Sequence, residues 1–299
     1  MFEIWVPITI LAAFSQNIRS TFQKSLQNKL SDMGATYVRF SYGLPFVFLY
    51  FIILNNNSNN QVLLNDVNFN FFIFCSLGGI CQILATFLLL KIFLSSNFAV
   101  GTAYSKTEPI QAAFFSLIIL HEAISFIGII GIVIGLIGVF IISYRSYSIK
   151  YLFLNYSIIL GLLSGTFFGI SAVCFRGASL SLNNAESILS SSFTLLVAIS
   201  LQTLIVSIYL LIFDKKQFIL TVKNYQESIT VGFFGAFASL CWFYAMTVKN
   251  VAYVRALGQI ELIFTILIAT LYFKEKLLFN QFVGIIITFI GLLLILLGS

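Results

Sequence analysis

The run Asn97–Gly138, NFAVGTAYSKTEPIQAAFFSLIILHEAISFIGIIGIVIGLIG, and the run Asn250–Gly291, NVAYVRALGQIELIFTILIATLYFKEKLLFNQFVGIIITFIG, are two copies of one unit. Laid on each other at a constant offset of 153 residues, they need no gap. Asn97 then meets Asn250, Ala99 meets Ala252, Ala103 meets Ala256 and Glu108 meets Glu261; further on, Glu122 meets Glu275, Gly131 meets Gly284 and Gly138 meets Gly291. Only 10 of 299 residues are acidic, so two coincident glutamates weigh far more than coincident alanines. At an offset of 152, Lys24 falls on Arg176 and Leu30 on Leu182, which carries the copy back toward the start of each half. The chain therefore divides into residues 1–148 and 149–299, one unit each.

The composition decides the solvent. Apolar residues make up 60% and charged residues 9%, where a soluble domain carries roughly 25% charge. Water would not tolerate that exterior, and hydrocarbon does. A spanning helix needs about 20 mostly apolar residues. Runs of that kind lie at 4–25, 33–54, 69–92, 97–119 and 124–144, then at 156–178, 185–213, 228–247, 251–273 and 280–297. The fold class expected is an all-α integral membrane protein of about ten transmembrane helices. Five spans per unit put the second unit upside down, which gives two inverted five-helix repeats around a central cavity.

The net charge of +6 is scattered between apolar runs rather than gathered on one face, which excludes a nucleic-acid-binding surface. Cys75, Cys81, Cys174 and Cys241 form no paired motif, and His121 is the only histidine. Neither a disulfide framework, a metal site nor a cofactor is expected. The first run has no basic segment before it and no small-residue cleavage site, so it reads as a retained helix. Lys24, Lys29, Lys91, Lys215, Lys216, Lys223 and others follow odd-numbered spans. By the positive-inside rule those breaks face the cytoplasm and both termini lie outside.

Charge deep in a span costs roughly 2.5–3.5 kcal/mol per residue and needs a reason. Lys106 and Glu108 lie mid-way through the fourth span, and Glu261 lies at the repeat-equivalent place in the ninth, which also carries Arg255. On continuous helices, Tyr104, Glu108 and Gln111 share one face and Thr102 and Lys106 another; Gly258 and Glu261 share one face, Arg255 and Gln259 another. Pro109 frees the carbonyl of residue 105 and kinks the fourth span. Two readings stand. Lys106, Glu108, Arg255 and Glu261 line a polar cavity that holds a charged or zwitterionic solute. Alternatively Lys106 with Glu261, or Glu108 with Arg255, are structural ion pairs. Gln16, Arg19 and Gln23 share one face of the first span, too polar for lipid, and Trp242 and Tyr104 are candidate walls. Gly128, Gly131, Gly135 and Gly138 line one face of the fifth span; Gly284, Thr288 and Gly291 stand in the matching frame of the tenth. Such small-residue faces join helices closely, either the two halves of one chain or two copies in a homodimer.

With these features the chain resembles the drug/metabolite transporter superfamily, in its EamA-like ten-helix branch. The resemblance rests on the duplicated five-helix unit and on the glutamate-then-glycine pattern ending each copy: Glu122, Gly131 and Gly138, then Glu275, Gly284 and Gly291. It implies a cavity lined by spans 1, 3, 4, 6, 8 and 9, with spans 5 and 10 set aside, and termini in the cytoplasm. It also implies carriage of small organic solutes such as amino acids across a membrane, here the bacterial inner membrane, with the lipid bilayer as the other partner. The function expected is secondary transport by alternating access. A lipid or lipid-linked sugar translocator of the same fold is the alternative. An enzyme is not expected, because one histidine and no acidic cluster supply no metal site.

Overall fold

The computed structural model describes residues 3–57, 67–93, 104–143, 156–182, 185–271 and 278–299. Every regular element among them is a helix. In chain order these are α1 Trp5–Leu26, α2 Asp32–Ser41, α3 Leu44–Asn57, α4 Phe69–Phe93, α5 Glu108–Ile119, α6 Phe126–Ser143, α7 Tyr156–Leu180, α8 Ser187–Phe213, α9 Lys215–Lys223, α10 Tyr225–Val248, α11 Val251–Leu257, α12 Ile260–Leu271 and α13 Phe279–Gly298. The expected start of the fourth span at 97–103 lies outside the described residues, as do the end of the ninth and Glu275.

Among the described residues, six segments are long and apolar enough to cross a bilayer: α2 with α3, α4, α7, α8, α10 and α13; α5 and α6 are shorter apolar helices. Large apolar side chains stand exposed around the outside, among them Phe69, Phe126, Phe213 and Phe279. That is the exterior of an integral, multi-pass membrane protein.

Local chemistry sets the breaks. The second span is not one helix, because Pro45 has no N–H to continue α2 and instead occupies the first turn of α3. The α10 backbone comes so close there that a Cβ on Gly232 would stand 2.5 Å from the Tyr42 carbonyl oxygen. Ser31 caps α2 by accepting from the Gly34 N–H at 3.2 Å, and Asp214 caps α9 by accepting from Gln217 at 3.4 Å. The stretch Asp214–Glu227, expected to be a polar break, thus contains a short helix at the membrane edge.

The three most extensive helix contacts are α4 on α7, α1 on α10, and α6 on α13. The third resolves the glycine faces. A Cβ on Gly131 would stand 2.9 Å from the Gly291 carbonyl oxygen, and one on Gly284 would stand 2.8 Å from the Gly138 carbonyl oxygen. The two glycine faces meet each other and join the halves of one chain, so a second copy would have to dock on a different face. As the resemblance implies, α6 and α13 stand to one side.

Polar clusters tie both ends of the bundle. At one end Gln27 donates to Asp32 Oδ1 at 2.8 Å and to the Leu90 carbonyl at 3.0 Å, and Lys29 pairs with Glu227. At the other, Arg176 of α7 grips Glu122 with Nε and Nη2 at 2.8–2.9 Å. Its Nη1 donates to the carbonyls of Met246, Thr247 and Lys249, which end α10. Asn250 adds a bond to Glu122 Oε2 at 3.1 Å. Nearby, Lys249 and the Trp5 indole N–H donate to Glu3 and hold its carboxyl below the ordinary carboxylate range. Removing one partner of a buried ion pair costs about 3–5 kcal/mol, and the partly buried Arg176–Glu122 pair a smaller but still large share of that. Arg176→Gln is therefore expected to lower the melting temperature of the detergent-solubilised protein sharply, and an unchanged melting curve would show that the clamp is dispensable.

Candidate functional site

The fourth span, expected to kink at Pro109, and the ninth, for which no break is expected, are both interrupted. The chain turns at Lys106 and Thr107 and helix α5 begins at Glu108; it turns again at Gly258 and Gln259 before α12 begins at Ile260. At the repeat offset Lys106 corresponds to Gln259, so the two interruptions coincide. Each has a local cause. Pro109 sits in the first turn of α5, where its missing N–H costs nothing. Gly258 passes under the Trp242 indole, where a Cβ would collide with the ring. In consequence both glutamates sit in the first turn of a half-helix, where the partial positive charge of unpaired N–H groups favours a carboxylate. Freed backbone groups are used as well: Gln259 Nε2 donates to the Lys106 carbonyl at 3.2 Å, and Asn17 Nδ2 to the Glu261 carbonyl at 3.2 Å.

The side chains form one network. Lys106 Nζ lies 3.0 Å from Glu261 Oε2, and Arg255 Nε pairs with Glu108 Oε1. Gln16 Nε2 donates to Glu261 Oε2 at 3.0 Å while its Oε1 accepts from the Trp242 indole at 3.0 Å. The Arg255 guanidinium lies over the Trp242 ring, 4.7 Å from its centroid, a cation–π contact. Every one of these contacts except the last crosses from residues 1–148 to residues 149–299. The ion pairs are themselves walls of a cavity of about 400 Å³, so pairing and cavity lining occur in the same four residues.

Of the ten residues singled out from the sequence, Gln16, Arg19, Lys106, Glu108, Trp242, Arg255 and Glu261 line that cavity. Tyr104, Gln111 and Gln259 do not. The Tyr104 ring turns to Phe140, edge-on at 5.3 Å between centroids. Gln111 Nε2 donates to Thr107 Oγ1 at 2.8 Å, and Gln259 is 2% exposed behind the interruption. Their expected faces assumed unbroken helices. The cavity draws on the elements that the resemblance implies, with one addition, Arg39 of α2. Gln82 of α4 also lines it and accepts from Gln202 at 2.8 Å; a glutamine amid an apolar span is the signal that would have found it. Among the described residues, no group of three or more His, Cys, Asp or Glu is placed to hold a metal ion.

Comparison with known proteins follows from this geometry. The model of the EamA-like transporter family matches twice, over residues 3–144 and over residues 155–297. A solved structure described only as "Crystal structure of protein" superimposes with a TM-score of 0.72 at 11% sequence identity, covering 100% of this chain and 98% of the other. At that identity the likeness is one of fold. No curated protein matches the chain.

Proposed function

The chain belongs to the EamA-like transporter family, and from that premise we propose that it carries a small charged or zwitterionic organic solute, such as an amino acid, across the bacterial inner membrane by alternating access. Ten spans in two inverted repeats are reached by adding four segments to the six long apolar ones: α1, α5 with the residues before it, α6, and α11 with α12. Helix α1 is more polar than those six because Gln16, Arg19 and Lys24 face the cavity. Interrupted helices facing each other at bilayer depth are where transporters of this plan hold their solutes.

One observation carries the reading: both half-buried ion pairs cross the seam between the halves and border the same void. A solute with its own charges competes for Lys106 and Arg255, or for Glu108 and Glu261. Exchanging a protein partner for a solute partner loosens the seam at the moment of loading, which ties binding to the rocking of one half against the other. The test is a thermal-shift screen of the purified protein against amino acids, organic anions, nucleosides and polyamines, followed by flux into proteoliposomes with each hit. At least one stabilising solute is expected to cross. Stabilising solutes that are never transported would refute carriage.

A further inference from the structure

The cavity is unbalanced in charge. Among the described residues its walls hold five basic side chains, Arg19, Lys24, Arg39, Lys106 and Arg255, against two acidic ones, Glu108 and Glu261. Glu108 is engaged with Arg255 and Glu261 with Lys106. Of the other bases, Arg19 lies on α1 and Arg39 on α2. Arg19 is 4% exposed and Arg39 6%, yet the hydrogen-bond acceptors that their guanidinium groups find are neutral. Arg19 Nη2 donates to the hydroxyl of Ser20 at 3.2 Å, and Arg39 Nη1 to the hydroxyl of Thr86 at 2.8 Å. Arg19 Nε is buried without any hydrogen-bond partner.

Two desolvated guanidiniums in one void repel each other, and each buried donor left unmade adds its own cost. The packing nevertheless holds them there. Gly235 of α10 lies against the Arg19 stem, at a distance where a Cβ would touch Cδ at 3.4 Å and would stand 3.7 Å from the Arg39 carbonyl. A guanidinium presents a planar fork of N–H donors whose geometry matches the oxygens of a carboxylate or phosphate. A mobile anion entering from the cavity adds negative charge beyond that of Glu261, which is already paired with Lys106, and brings further acceptors for guanidinium N–H groups that otherwise meet only hydroxyls.

We propose that Arg19 and Arg39 are the docking point for an oxyanion, so that the solute carried is an organic anion bearing a carboxylate or phosphate group. This rests on the transport reading above and narrows it. Glu108 and Glu261, held by Arg255 and Lys106 in the same cavity, then face the remainder of the solute.

The test is thermal unfolding of the purified full-length protein with succinate, glycerol 3-phosphate and inorganic phosphate in separate arms, and with putrescine and glycine as a cation and a zwitterion without surplus negative charge. Saturable stabilisation by at least one anion, and none by putrescine, is expected. Succinate against the two phosphates tells which oxyanion is preferred. Arg19→Gln and Arg39→Gln are expected to weaken that anion roughly tenfold or more, and Arg19→Lys, which keeps the charge, to weaken it less. No stabilisation by any of the three anions overturns the proposal, as does equal anion affinity in both Gln variants; the first arm needs no variant to fold. Proteoliposome flux is measured separately. Anion binding without flux overturns the transport reading and leaves the anion site standing. Flux of putrescine or glycine that Arg19→Gln leaves unchanged overturns the anion site and leaves transport standing.

Discussion

Replacing Glu261 by Gln is expected to leave the protein inserted and monodisperse while cutting solute flux at least tenfold. Glutamine preserves the volume of the side chain and one carbonyl oxygen, so Lys106 and Gln16 still find an acceptor where Oε2 stood. What disappears is the negative charge. Lys106 is then left at bilayer depth without its counter-ion, and a hydrogen bond to a charged group is worth about 1.5–3 kcal/mol. At 1.4 kcal/mol per factor of ten, that corresponds to a loss on the order of ten- to a hundredfold. Glu108→Gln has the same effect on Arg255, which Glu108 holds while it lies over Trp242. Flux in proteoliposomes, normalised to reconstituted protein, is the measurement. Wild-type flux in both variants would remove these carboxylates from the transport cycle.

The second large effect is on assembly. Gly291→Leu is expected to yield protein that aggregates in detergent, because α6 and α13 can no longer meet. A Cβ at residue 291 would stand 2.6 Å from Gly135 Cα and 2.9 Å from the Gly131 carbonyl oxygen. Both are backbone atoms, so no side-chain rotation relieves the overlap, and overpacking of this kind costs about 1–3 kcal/mol or more. Helix association in lipid depends on such close approach, since apolar surface alone gives no preference for protein over lipid. Gly79→Ala on α4 is the control. Its Cβ meets only Gln202 Cγ, at 3.6 Å, an ordinary contact, so that variant should elute as the native protein does on size-exclusion chromatography. A native profile for Gly291→Leu would mean that the α6–α13 seam is not what holds the halves.

Much of this architecture is legible in the residues. Apolar run lengths place α1, α4, α7, α8, α10 and α13 within a few residues of their ends, because a bilayer imposes a length that a soluble core does not. The repeat singles out Glu108 and Glu261, and the chemistry of charge in hydrocarbon names the partners that the structure brings to them. Interruptions are less legible. Gly258 acts through Trp242, which helical periodicity does not reveal, so periodicity assigns Tyr104, Gln111 and Gln259 to faces that an unbroken helix would have. Arg176 and Glu122 are each conspicuous alone, but their union depends on how a loop after α5 folds over α7, which no pattern along the chain encodes. Arg39 stands mid-span like Lys106 and Arg255, and only the packing of α2 against α10 turns it into the cavity. The amphipathic α9 hides in a polar stretch too short for periodicity to register.

The central claim is that the void bordered by Lys106, Glu108, Arg255 and Glu261 is a wet chamber reached from each face of the membrane in turn. Ser239 lines it. With Cys75, Cys81, Cys174 and Cys241 replaced by Ala in a variant that still transports, Ser239→Cys can be challenged with a charged, membrane-impermeant thiol reagent from one side of oriented vesicles and then from the other. The account predicts labelling from both sides, slowed in each case by a transported solute. Labelling from neither side, or from one side only under every condition, would contradict it.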